Sequence, residues 1–64
     1  MVLRGRVSSI EVDGRVRVTF PGRDNTVSAP LPAAVHVGLL TIGQTVIVVF
    51  HADNLRDGTI IAKL

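Results

Sequence analysis

Apolar and polar positions alternate along most of this chain, and one stretch breaks the alternation outright. Val46-Ile47-Val48-Val49-Phe50, entered through Gln44-Thr45, is five apolar residues in a row, four β-branched and one aromatic. A half-exposed antiparallel strand alternates, so an unbroken run is expected where both faces are covered. The run is too short and too β-branched for a buried helix. It predicts the central strand of a small closed sheet.

The other elements are read around it. Leu3 to Val12 is a long strand whose phase switches at Ser8-Ser9: Leu3, Gly5 and Val7 share one parity, Ile10 and Val12 the other. One extra residue there, a β-bulge, returns Val7 and Ile10 to the same face. Arg15 to Phe20 alternates cleanly, with Val16, Val18 and Phe20 inward and Arg15, Arg17 and Thr19 outward. A three-residue loop Val12-Asp13-Gly14 with Gly14 left-handed sets Glu11 against Arg15 and Ile10 against Val16. The bulge then brings Val7 to Val18 and Gly5 to Phe20. A two-residue Asp13-Gly14 loop would set Ile10 against Arg17, a poorer match.

Pro21 to Asn25 is dense in turn formers and predicts an exposed connection. Thr26 to Ala29 is a short third strand, which Pro30 and Pro32 end or confine to an edge. From Ala33 to Gly43 the pattern is mixed. Val35, Val37 and Gly38 weaken any helix there, and Leu39, Leu40 and Ile42 are expected to plug one end of the fold. His51 to Gly58 is a polar loop, and Thr59 to Leu64 closes the sheet. Five short strands, a bent first strand and a long connection between the third and fourth predict one all-β domain over residues 1–64, a five-stranded OB-like barrel. An SH3-like barrel is the alternative.

Size sharpens the question of what stabilises such a barrel. A 64-residue chain buries only about 60% of its unfolded surface. With no Cys, disulfides and thiolate metal sites are excluded. Hydrophobic content is 47% and mean hydropathy +0.46, high for a small domain, so some apolar side chains are expected to be covered by another chain. Ile47 and Val49 point opposite to Val46, Val48 and Phe50 and need cover of their own. A homo-oligomer with Ile47 or Val49 near the interface is therefore expected. No apolar run approaches the ~20 residues of a bilayer span. Met1 to Arg6 lacks the pattern of a signal peptide, so synthesis in the cytoplasm is expected.

Net charge is only +2, yet six of the seven cations are Arg, a residue suited to bidentate and interfacial contacts. Arg4, Arg6, Arg15 and Arg17 fall on the outer face of the first hairpin, with Glu11 the carboxylate among them. Like charges across strands cost a few tenths to ~1 kcal/mol per pair. An anionic partner, either an acidic protein surface or nucleic-acid phosphate, would offset that cost; a solvated face partly neutralised by Glu11 is the plainer alternative. Single-strand binding uses aromatic stacking over a basic groove. Here Trp and Tyr are absent and both Phe are at inward positions.

Other chemistry is weaker still. His51, Asp53 and Asp57 share one loop, but hard-cation sites recruit more oxygens at regular spacing, and Asp53-Asn54 and Asp57-Gly58 read as turn formers. His36 reads as structural. Ser8 and Ser9 have no His or Lys at a defined spacing, and no phosphate-cradling glycine loop is present. No catalytic residue, metal ligand or cofactor is assigned.

The order of the elements also carries a resemblance. Its motifs are Gly5-Arg6-Val7, then Gly14-Arg15-Val16-Arg17-Val18-Thr19-Phe20-Pro21-Gly22-Arg23-Asp24, then Leu31-Pro32. Ile42-Gly43-Gln44-Thr45-Val46-Ile47-Val48-Val49-Phe50 and Asp57-Gly58-Thr59-Ile60-Ile61 complete the set. Together they resemble the OB-fold domain of phage baseplate assembly and tail-spike proteins, related to the spike tips of contractile injection systems. The resemblance implies a non-enzymatic structural module that commonly trimerises between the tail hub and a β-helical needle, with other tail or baseplate proteins as partners and the virion as its location. Ala62 replaces the glycine usual after the last apolar pair. The His-x-His pair that holds metal at a spike tip is absent from the sequence, and needle repeats after Leu64 are not expected. A small tail or baseplate component, rather than a membrane-puncturing tip, is the expectation. A nucleic-acid-binding barrel using the Arg face is the alternative.

Overall fold

The computed structural model describes residues 1–51 and 56–64. Its strands are β1 (Val2–Ile10), β2 (Val16–Phe20), β3 (Thr26–Val27), β4 (Thr45–Phe50) and β5 (Gly58–Lys63), with 3-10 turns at Pro21–Arg23 and Val35–Val37. The strands form one antiparallel sheet in the order β3-β2-β1-β4-β5. Among the described residues there is no α-helix. β4 returns by a long connection to lie beside β1, which is the Greek-key order on which OB-like barrels are built. A meander of consecutive hairpins, as in the SH3-like alternative, would set β4 beside β3.

The first hairpin has the register read from its parity. Val7 faces Val18, Ile10 faces Val16, and the ladder shifts between Val7 and Ser9. At the tip Glu11 N donates to Arg15 O (2.7 Å) and Gly14 N to Glu11 O (3.0 Å), with Gly14 at φ 91°. That is the three-residue loop. Ile10 pairs as expected but lies at the rim of the sheet, 45% exposed.

Two expectations are corrected. The run at β4 is not the middle strand; β1 is. Nor does the sheet close as a continuous ladder, because the seam between β2 and β5 is spanned by two isolated bridges from the segment after β3. Leu31 and Val16 exchange both backbone bonds (2.8 and 2.9 Å); Ile60 N donates to Pro32 O and Ala34 N to Ile60 O (3.0 and 2.8 Å). Pro30 and Pro32 have no N–H to donate, so a longer ladder cannot form there.

The core lies inside this curved sheet. Val7, Val16, Val18, Phe20, Val46, Val48, Phe50 and Ile60 are buried, joined by Leu31 and Val37. The two phenyl rings meet edge to face, centroids 5.6 Å apart. Each ring also sits against a glycine of the adjoining strand, Phe20 on Gly5 and Phe50 on Gly58. Val46, Val48 and Phe50 are fully buried, while Ile47 and Val49 on the other face are half-buried.

The expected plug is replaced by different residues. Leu39 and Ile42 are 91% and 70% exposed, and only Leu40 of the three packs against the core. Leu31 and Val37 fill that role instead, because the seam bridge and the 3-10 turn aim them inward. Lys63 Nζ donates to Leu39 O (3.0 Å), tying that segment to β5 while its side chain stays outside.

Ser28 is the buried polar residue among the described residues, and it is fully used. Its N donates to Val18 O (2.8 Å), its hydroxyl donates to Ala29 O (2.8 Å), and its Oγ accepts from Val18 N (3.1 Å). The side chain thus completes the β2 edge where β3 stops pairing. Ser28→Ala would leave the buried Val18 N–H without an acceptor, an expected loss of about 1–3 kcal/mol. Urea denaturation of the variant at neutral pH checks this.

Candidate functional site

The four arginines singled out from the sequence are all exposed, but the structure divides them into two pairs. Arg15 and Arg17 lie at the hairpin tip, each beside a carboxylate. Arg17 Nε bonds Glu11 Oε1 at 2.8 Å, and Arg15 Nε is 3.9 Å from Asp13 Oδ2. Asp13 also accepts from Arg15 N (3.0 Å), so this turn former neutralises the tip as well as shaping it. Exposed pairs of this kind are worth at most about 1 kcal/mol. They leave little positive potential for a partner.

Arg4 and Arg6 are different. Both lie on the outer face of β1, opposite Ile47 and Thr45 of β4, where neither neighbour carries charge. They line a cleft of about 470 Å³ together with Phe20, Gly22, Arg23 and Thr45. Arg23 was missed in the sequence because it reads as part of a generic turn. Its Nη2 donates to Met1 Sδ (3.1 Å), which ties the guanidinium to the residue that precedes β1. Three arginines therefore surround one concavity that no carboxylate of the described residues lines. The signal that could have found it is Pro21, which ends β2 while β1 runs on to Val2.

Its arginines suit the cleft to an anion, and Thr45 supplies a hydroxyl at its wall. Among the described residues that line it there is no carboxylate, His, Ser or Cys. Elsewhere, His36 Nε2 donates to Ile61 O (2.8 Å), which fixes the 3-10 turn to β5. His51 Nε2 is 3.4 Å from Thr59 Oγ1. Among the described residues no three His, Asp or Glu side chains gather as metal ligands; Asp53 lies outside them. No described helix is long and apolar enough to cross a membrane. No protein-family model, no curated protein and no solved structure matches the chain.

Proposed function

We propose that the chain is a non-enzymatic structural module that acts through protein–protein contacts, as a baseplate or spike-associated component of a phage or prophage tail. The observation that carries the contact role is the amount of apolar surface left in solvent. Val35 is 98% exposed, and Leu39, Ile61 and Leu64 are exposed on the two segments that meet at β5. The His36–Ile61 and Lys63–Leu39 hydrogen bonds join those two segments. Large apolar side chains left in solvent on neighbouring segments are candidates for association sites. The tail assignment is supported by the motif resemblance from Gly5-Arg6-Val7 to Asp57-Gly58-Thr59-Ile60-Ile61. Synthesis in the cytoplasm and residence in the virion go with it.

A homotrimer is the expected assembly. Sedimentation at micromolar concentration should give a multiple of the 6.8 kDa chain mass. Val35→Asp with Leu39→Asp, both at exposed sites, should return it to monomer if the two segments that meet at β5 form the interface. Val2→Asp should do so if the interface runs along Val2 and Val49, which face each other across β1 and β4. A native protein that stays monomeric with an ordinary unfolding midpoint overturns the self-association.

Nucleic acid is the rival occupant of the arginine cleft. It predicts oligonucleotide affinity that falls steeply with salt and is lost when Arg4 and Arg6 become Glu. Against it stands the burial of Phe20 and Phe50, which leaves neither phenyl ring to stack on a base.

A further inference from the structure

The arginine cleft coincides with an unfinished edge of the sheet. Met1 O accepts from Phe50 N (2.8 Å) at one end of the β1–β4 ladder, and Val7 N donates to Gln44 O (2.9 Å) at the other. Hydrogen-bonded pairs alternate in an antiparallel ladder, so Met1, Leu3, Gly5 and Val7 spend their backbone groups on β4. Val2, Arg4 and Arg6 turn theirs to the opposite side, towards β2. Arg6 meets Thr19 there. Continued by the same register, β2 would set Pro21 against Arg4 and Arg23 against Val2. Pro21 has no N–H, and the chain turns away in the Pro21–Arg23 3-10 turn. Among the described residues, the N–H and C=O of Val2 and Arg4 find no backbone partner on this side.

We propose that this edge accepts an acidic, extended peptide segment of another protein as an added strand beside Val2–Arg4, its carboxylates held by Arg4, Arg6 and Arg23. Two independent features converge on that occupant. A strand edge presents alternating donors and acceptors, which only another backbone of the same kind satisfies. A phosphodiester chain lacks the backbone donors that the carbonyls of Val2 and Arg4 require. The charge is complementary as well, since three arginines line the cleft and no carboxylate of the described residues does. Arg23 is meanwhile held by a thioether, a weak acceptor that a carboxylate displaces.

The register also fixes the pattern of the guest. The residue opposite Arg4 in a hydrogen-bonded pair turns its own backbone groups to Arg4 and its side chain to the same outer face. Acidic residues therefore belong at alternate positions, and their own N–H groups are those that meet β1. Between them the side chains face the end of the core beside Leu3 and Phe20, and an apolar residue suits that place. The recognised sequence is a short alternation such as Val-Glu-Val-Glu-Val.

The inference rests on the reading of the domain as a protein-contact module, and sedimentation of the native protein tests that reading separately. The test here is titration of the full, isotopically labelled chain with capped Val-Glu-Val-Glu-Val, followed by amide NMR. Saturable shifts centred on Val2, Arg4 and Arg23 are expected. The Gln-for-Glu peptide should bind at least tenfold more weakly, and so should a peptide N-methylated at both Glu. Arg4→Gln, Arg6→Gln and Arg23→Gln combined should remove binding while the remaining spectrum stays that of the native fold. Equal affinity for the N-methylated peptide would overturn strand addition. No binding up to millimolar peptide, or tighter binding of an oligothymidylate in the same cleft, would overturn the proposal altogether.

Discussion

Val48→Asp is expected to abolish the cooperative fold at neutral pH. Val48 is fully buried in β4, opposite Leu3 of β1 and Ile60 of β5, and both neighbours are apolar. A carboxylate placed there finds no free donor. The hydroxyl of Ser28, the buried polar side chain of the described residues, already donates to Ala29 O. An unpaired buried charge costs several kcal/mol, and a 64-residue domain has only about 3–10 kcal/mol of stability to lose. Burial also raises the pKa of a carboxyl, so the penalty is greatest above that raised value and falls as the group protonates. Acidification should therefore restore structure to this variant, opposite to ordinary acid denaturation. Circular dichroism from pH 7 to pH 4 reads the effect. Val12→Asp is the control: Val12 projects fully into solvent at the hairpin tip, and the same chemical change there should be silent. A cooperatively folded Val48→Asp protein at pH 7 would show that β4 has been misplaced.

Elements set by local pattern were legible in the sequence, and elements set by tertiary closure were not. The bulge could be placed because Val7 and Ile10 must share a face, and Gly14 reported its own left-handed turn. β4 could be placed because five apolar residues in succession have few other uses. Leu31 is different. Flanked by Pro30 and Pro32 it reads as a loop, yet it is fully buried, because a single bridge to Val16 is enough to turn it inward. Ser28 likewise looks like any serine near a proline. Its burial follows from Val18 needing an acceptor where β3 ends, which no local pattern announces. Leu39 and Ile42 were misread for the converse reason: apolar character alone suggested burial, but the chain there is tied to the rim by its backbone.

The candidate site divides along the same line. That Arg4, Arg6, Arg15 and Arg17 face outward follows from strand parity, and all four are exposed. Which of them share a concavity depends on where β2 stops relative to β1, a difference in strand length rather than composition. Asp13 and Glu11 then remove Arg15 and Arg17 from consideration, and Arg23 enters through the turn that Pro21 starts.

Gly5→Ala is expected to cost more than any other single methyl added at a glycine of this chain. A Cβ at Gly5 would overlap Val18 Cγ1, stand 2.7 Å from Thr19 O and 2.9 Å from Phe20 Cδ1. Val18 is β-branched and fully buried, so its χ1 has little room to change. Thr19 O belongs to the β1–β2 ladder, where Thr19 pairs with Arg6, and it cannot retreat without breaking that ladder. Overpacking a tight core costs roughly 1–3 kcal/mol, and a clash with backbone places this variant at the upper end. Gly58→Ala should be milder. Its nearest contacts are the Phe50 ring at 2.7 and 2.9 Å, a side chain that can tilt, although Val49 O also lies at 2.9 Å. The two sites should consequently differ in rescue. Phe50→Leu should recover part of the loss in Gly58→Ala, whereas Val18→Ala should recover little in Gly5→Ala, because Thr19 O remains. Gly22→Ala, with nothing near the added methyl, sets the baseline. Urea midpoints for the three single and two double variants decide the ranking. A Gly5→Ala protein as stable as the native one would show that β2 and Phe20 do not lie over β1 at this point. The arginine cleft, which begins where that contact ends, would lose its floor as well.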